Sequence, residues 1–188
     1  MNRFVLNIAV VTALIILAWS CSKTELSEKE FETYLIPAGQ QRSTSKIRLL
    51  SKKELKFIVK FDSSAVYTSL DHVNQFASNK LLGFSDCNTG HLENSARFGW
   101  RWLNNSLEIL TYCYVGKERS MEYLTTLQLG KEYEGSLKST EENYLFFING
   151  ATASIKRGCT ESPVKYYLFP YFGGAETAPH DIRIKIKD

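Results

Sequence analysis

The sequence predicts an all-β protein, an antiparallel β-sandwich of jelly-roll type, on two observations. From Phe31 onward, apolar residues recur mostly at every second position, in short runs broken by Gly, Asn, Asp and Ser. The runs are rich in Tyr, Phe, Val and Thr and poor in Pro, and no stretch reads as a helix. Many short strands at close spacing bury their alternating faces by packing as two antiparallel sheets.

Strands are expected at residues 33–36, 46–50, 55–61, 66–70, 80–84, 96–103, 107–115, 123–129, 144–148, 151–156, 165–172 and 181–187. The clearest unit is the hairpin around Asn104-Asn105, two residues that tolerate the positive φ of a tight turn. Counting outward from that turn sets Leu103 opposite Ser106, Arg101 opposite Glu108, Trp100 opposite Ile109, Phe98 opposite Thr111 and Arg97 opposite Tyr112. One side of the ribbon is then Phe98, Trp100, Trp102, Leu107, Ile109 and Cys113, and belongs to the core. The other is Arg97, Gly99, Arg101, Glu108, Leu110, Tyr112 and Tyr114, and looks outward.

The N-terminus reads as an export signal. A basic residue, Arg3, precedes the apolar stretch from Phe4 to Trp19, and small Ser20 leads to Cys21. The stretch is shorter than the roughly 20 apolar residues of a membrane span and contains Asn7 and Thr12. The segment Leu17-Ala18-Trp19-Ser20-Cys21 resembles the lipobox of bacterial lipoproteins, with Trp19 an unusual occupant. That resemblance implies a signal peptide over 1–20, acylation of Cys21 (palmitate among the chains) and a tether over 21–30. One β-sandwich domain follows over 31–188, exported and held to the cell envelope at the outer membrane. An ordinary secretory cleavage that leaves Cys21 a plain thiol is the alternative.

The formal net charge of the 188 residues is only +3, and it falls by one unit when Arg3 leaves with the signal. No concentrated basic footprint for nucleic acid results. No His-x-x-His or Cys-x-x-Cys pair suggests zinc, and no phosphate loop or Gly-x-Ser-x-Gly elbow is present. Three cysteines remain after Cys21, namely Cys87, Cys113 and Cys159. One pair and one leftover are expected in an oxidising compartment. Cys87 and Cys159 both sit in loops beside turn residues and form the favoured disulfide; Cys87 with Cys113 is the other possibility, since Cys113 falls opposite Ala96 near the end of the same loop.

The outward face of the hairpin is the candidate ligand surface. Tyrosines stack on pyranose faces, and arginines grip carboxylates or sulfates in two-pronged fashion. Arg97, Arg101, Tyr112 and Tyr114 are the expected ligand-binding residues, although Arg101 has a facing acid in Glu108. Arg97 has none, and Gly99 beside it leaves room for a ligand. The polar loop from Gly83 to Ser95 brings His91 to one end of the ribbon.

Two segments carry a resemblance of fold. The C-terminal run Tyr166-Tyr167-Leu168-Phe169-Pro170-Tyr171-Phe172-Gly173-Gly174, followed by Pro179-His180-Asp181 and the alternating Ile182-Arg183-Ile184-Lys185-Ile186, resembles the closing strands of concanavalin A-like jelly rolls, the lectin and glucanase superfamily that includes polysaccharide lyases. Asn94-Ser95-Ala96-Arg97-Phe98-Gly99-Trp100-Arg101-Trp102 is similar to a mid-sheet strand of exported lipoproteins with such a domain. The resemblance implies a sandwich over roughly 31–187. It also implies a possible structural calcium at Asp181, where the competing role is to cap the turn after Pro179, and it implies no other cofactor. The Glu-x-Asp-x-Glu strand of the glucanases is missing: Glu118, Glu122, Glu132 and Glu134 lack that spacing.

These readings lead to a lipid-anchored, non-catalytic module that binds a polysaccharide or glycan, with the membrane as its second partner. Two alternatives stand beside it. One is a small polysaccharide lyase on uronic-acid polymers, in which Arg97 neutralises the carboxylate while His91 or Tyr112 moves the proton. The other is a structural or interaction subunit of an envelope complex.

Overall fold

The computed structural model describes Leu26 and residues 29–44, 46–160 and 164–188. The expected signal peptide and the Cys21 acylation site lie outside the described residues, as does most of the tether. Among the described residues, twelve strands form two six-stranded antiparallel sheets, with two short 3-10 turns and no longer helix.

The strands are β1 (Glu32–Ile36), β2 (Leu49–Leu50), β3 (Glu54–Phe61), β4 (Asn79–Ser85), β5 (Ser95–Leu103), β6 (Ser106–Val115), β7 (Glu118–Leu127), β8 (Glu132–Ser139), β9 (Asn143–Ile148), β10 (Ala151–Lys156), β11 (Lys165–Leu168) and β12 (Ile182–Lys187). The back sheet runs β1-β12-β3-β8-β9-β10 and the front sheet β2-β11-β4-β5-β6-β7. The sandwich is therefore all-β, as the alternation predicts. Its core is an aromatic interdigitation: Phe98 of the front sheet meets Phe57 and Phe146 of the back sheet at ring separations of 5.3 and 5.1 Å. Trp100 meets Phe61 at 5.4 Å. These offset and edge-on contacts suit the ring quadrupoles.

The hairpin of β5 and β6 has the expected register, Arg97 opposite Tyr112 and Trp100 opposite Ile109. Its turn residues Asn104 and Asn105 have φ of 50° and 58°, the paired left-handed conformation that matches the twist of adjoining strands. Two expectations fail, for different reasons. Residues 66–70 alternate in burial, with Tyr67 inward, yet they find no neighbouring strand and run between the turns Ser63–Ala65 and His72–Phe76. Strand β8 has no counterpart among the expected strands because its inward positions are Gly135, Leu137 and Ser139, two of them without apolar bulk. Gly135 is required there: a Cβ would sit 2.4 Å from the ring of Phe57.

A covalent and ionic knot closes one end of the sandwich. Cys87 and Cys159 form the expected disulfide, with Cα atoms 5.9 Å apart, and Cys113 is a buried free thiol. Beside the bridge, the fully buried carboxylate of Asp86 accepts from Arg157 Nε at 2.5 Å and Nη2 at 3.0 Å, and from the Tyr144 hydroxyl at 3.0 Å. Burial alone would raise this carboxyl, but Arg157 outweighs it and holds Asp86 below its ordinary range.

Candidate functional site

Outward positions of the front sheet form the floor of a cavity of about 930 Å³. β5 contributes Arg97, β6 contributes Tyr112 and Tyr114, and β7 contributes Met121 and Arg119, which stand opposite those two tyrosines in register. β4 brings Lys80 into the same row because its bulge past residue 80 leaves Lys80 opposite Gly99. One wall is the segment 167–174, held to β4 by reciprocal backbone hydrogen bonds between Lys80 and Tyr171 at 2.8 and 2.9 Å. Other walls come from residues around Arg42 and Ile47, from the turn His72–Phe76, and from the loop bearing His91.

The chemistry of this lining is lopsided. Arg42, Lys46, Lys80, His91, Arg97 and Arg119 all line it, and none of the lining residues is Asp or Glu. Arg97 is 7% exposed, its Nε has no hydrogen-bond partner, and no carboxylate pairs with it among the described residues. Burial pushes its guanidinium down to about 10. Lys80 donates to the Gly173 carbonyl at 2.6 Å and lies 4.9 Å from the Tyr112 ring centre. Its ammonium is lowered to about 8, first by burial and then by the charges of Arg97 and Arg119. Burial and then Arg97, Arg42 and Lys80 lower His91, which favours its neutral form. The Tyr112 phenol is raised by burial and by Tyr114, whose ring lies 6.0 Å away. Lys46 is offset by Glu32 at 3.5 Å, whereas Arg97 has no carboxylate partner among the described residues.

The structure thus brings together His91, Arg97, Tyr112 and Tyr114 from the sequence-predicted set. Arg101 stays apart. Its Nε donates to Glu108 at 2.7 Å and its Nη1 to the Phe76 carbonyl at 2.7 Å, so it fastens the turn His72–Phe76 to β5 and leaves the cavity lining. The space expected over Gly99 is also filled, since a Cβ there would lie 2.2 Å from the Ser78 hydroxyl. Arg97 faces away from the core as expected, but the surrounding segments cover it, so it is not a solvated surface residue.

Asp181 lies outside this lining. One carboxylate oxygen accepts from the Ala38 amide at 3.0 Å and the other pairs with Arg183 at 3.3 Å. Among the described residues, the one close group of three His, Cys, Asp or Glu donors is Asp86, Cys87 and Cys159, already engaged in the knot.

Sequence reasoning missed Arg42, Lys46, Lys80, Arg119 and Tyr171. Arg119 was within reach, because a two-residue turn at Gly116-Lys117 places it opposite Tyr114. Lys80 depends on a bulge and Arg42 on a loop, while Lys46 and Tyr171 fall in expected strands 46–50 and 165–172, of which only Leu49–Leu50 and Lys165–Leu168 form strands.

The two sheets and their strand order define a concanavalin A-like jelly roll. Among solved structures, alginate lyase AlyC3 shares this fold with a TM-score of 0.56 at 8% identity, over 83% of this chain and 72% of that one. The same lyase in complex with dimannuronate gives 0.54 at 7% identity, over 83% and 71%. The non-specific endo-β-1,3(4)-glucanase SCLam from family GH16 is more distant, at 0.48 and 8%, over 74% of this chain and 57% of that one. At these identities the likeness is one of fold. No protein-family model matches the sequence, and no curated protein matches it.

Proposed function

We propose that this chain is an exported, membrane-tethered module that binds an acidic polysaccharide of the uronate class in the cavity over the front sheet. The observation that carries this reading is the lining: six basic residues, no acid, and an Arg97 guanidinium buried without a counter-ion. A polyuronate supplies one carboxylate per sugar, and its flat faces suit the paired rings of Tyr112 and Tyr114. The fold is also one that an alginate lyase uses.

Calorimetry with alginate, polygalacturonate and a neutral β-glucan tests it. The acidic polymers are expected to bind with an affinity that falls as salt rises, and the neutral glucan is not. Equal affinity for the neutral glucan, or no binding to any of the three, overturns the reading.

One observation favours a catalytic version of the same site: His91, lowered by burial and the nearby cations, Tyr112, raised by burial and Tyr114, and Arg97 share one cavity. In that version Arg97 neutralises the uronate carboxylate and His91 takes the C5 proton. The C4–O4 bond breaks as C4=C5 forms, and the Tyr112 hydroxyl gives its proton to the departing oxygen. The unsaturated product absorbs in the ultraviolet, so an absorbance rise on mixing marks a lyase and retention without it marks a binding module. Silence in both assays points to an interaction subunit of an envelope complex.

A further inference from the structure

The mouth of the cavity differs in chemistry from its floor. Ile47 is 85% exposed, Val73 62%, Leu92 59% and Phe76 57%, and all four line the cavity, as does Met121 at 38%. They arrive from separate places: the approach to β2, the turn His72–Phe76, the loop between β4 and β5, and β7. The backbone fixes some of them there. Val73 N–H donates to the Asp71 carboxylate at 3.0 Å, and the Phe76 carbonyl accepts from Arg101 at 2.7 Å. Apolar side chains that converge on one opening from several segments form a patch, and such patches mark contact with an apolar group.

Resting on the uronate reading, we infer that the ligand is a polyuronate whose hydroxyls carry O-acetyl esters, its carboxylates on the cationic floor and its acetyl methyls on the apolar rim. Bare hydroxyls gain nothing from aliphatic neighbours and lose hydration against them. An aromatic-lined rim would suit the sugar ring itself, but most of this rim is aliphatic. The smallest substituent that presents a methyl there, and leaves the carboxylate free for Arg97 and Lys80, is an acetyl ester on a ring hydroxyl.

The probes are a naturally O-acetylated alginate and the same sample after mild alkaline de-O-acetylation, compared by calorimetry on the full chain. The acetylated polymer is expected to bind tighter by on the order of fourfold for each methyl the rim buries. Ile47→Ser and, separately, the pair Val73→Ser with Phe76→Ser are expected to bring that ratio towards one, with thermal unfolding confirming that each variant folds. Equal or weaker binding of the acetylated sample overturns the inference and leaves the uronate reading standing. A ratio that neither rim variant moves also overturns it, as does preferential capture by vesicles carrying an anionic glycolipid, which would assign the rim to a long acyl chain. Failure of both polymers to bind sinks the uronate reading itself.

Discussion

Arg97 and Lys80 show how a buried cation can work against the fold that holds it. Burial lowers the Arg97 guanidinium to about 10, so its charge is less stable in the folded protein than in water, and that penalty is present at every pH below that value. Arg97→Met is therefore expected to raise stability by about 1 kcal/mol in urea unfolding while weakening acidic-polymer binding by about 10- to 100-fold. A variant that loses both stability and binding would make Arg97 a structural residue. Lys80 gives the matching pH signature. Its ammonium titrates near 8 rather than in the ordinary lysine range, so the unfolded chain holds a proton that the folded one has released between about 8 and 10.5. Stability should rise across that window, whereas binding of a polyanion, which needs the protonated form, should fall as pH passes 8. In Lys80→Met both slopes should flatten, as followed by calorimetry and thermal melts over pH 7–10.

Strand pairing explains what sequence could and could not disclose. The β5–β6 hairpin was legible because a tight Asn-Asn turn fixes its register, and register decides which residues face the core and which face the cavity. The walls over that floor were not, because Arg42, Tyr171 and the bulge at Lys80 depend on contacts between segments distant in sequence. Strand β8 was silent for a related reason: Phe57 of neighbouring β3 occupies the room that an inward side chain at Gly135 would need, so its alternation carries no apolar signal. The disulfide, by contrast, followed from two loop cysteines in a chain whose N-terminal sequence reads as an export signal. It closes a sequence separation of 72 residues, for which loop entropy gives about 4 kcal/mol. The variant with Cys87→Ser and Cys159→Ser should lose about that much in chemical unfolding. A loss near zero would mean that the Asp86–Arg157 pair alone holds this end together.

At the scale of the whole molecule, the cavity lies over the front sheet, while β1, the first described strand, forms an edge of the back sheet beside β12. The start of β1 nevertheless reaches one border of the cavity, since Glu32 pairs with the lining residue Lys46 at 3.5 Å and Tyr34 lies 5.9 Å from the ring of Phe169. Cys21→Ser is expected to abolish acyl labelling and detergent-phase partitioning, since a single residue would carry the lipid attachment. Labelling that survives the substitution would move the attachment elsewhere or remove it. The melting temperature of the variant should match that of the parent, because the described strands begin at Glu32.

The pairing of β1 with β12 also determines how the domain responds to force. Five residue pairs, from Glu32 with Ile186 to Ile36 with Ile182, join these strands, and the Lys29 ammonium reaches the Asp188 carbonyl at 2.7 Å beside them. If the N-terminus is anchored as proposed, a pull from a bound polymer would cross this ladder before it left the domain. Drawn along the strand axis, the five pairs share the load and must shear together. Drawn across it, they unzip in sequence from Glu32 inward, so the grip of the module under flow would depend on the direction from which the polymer tugs.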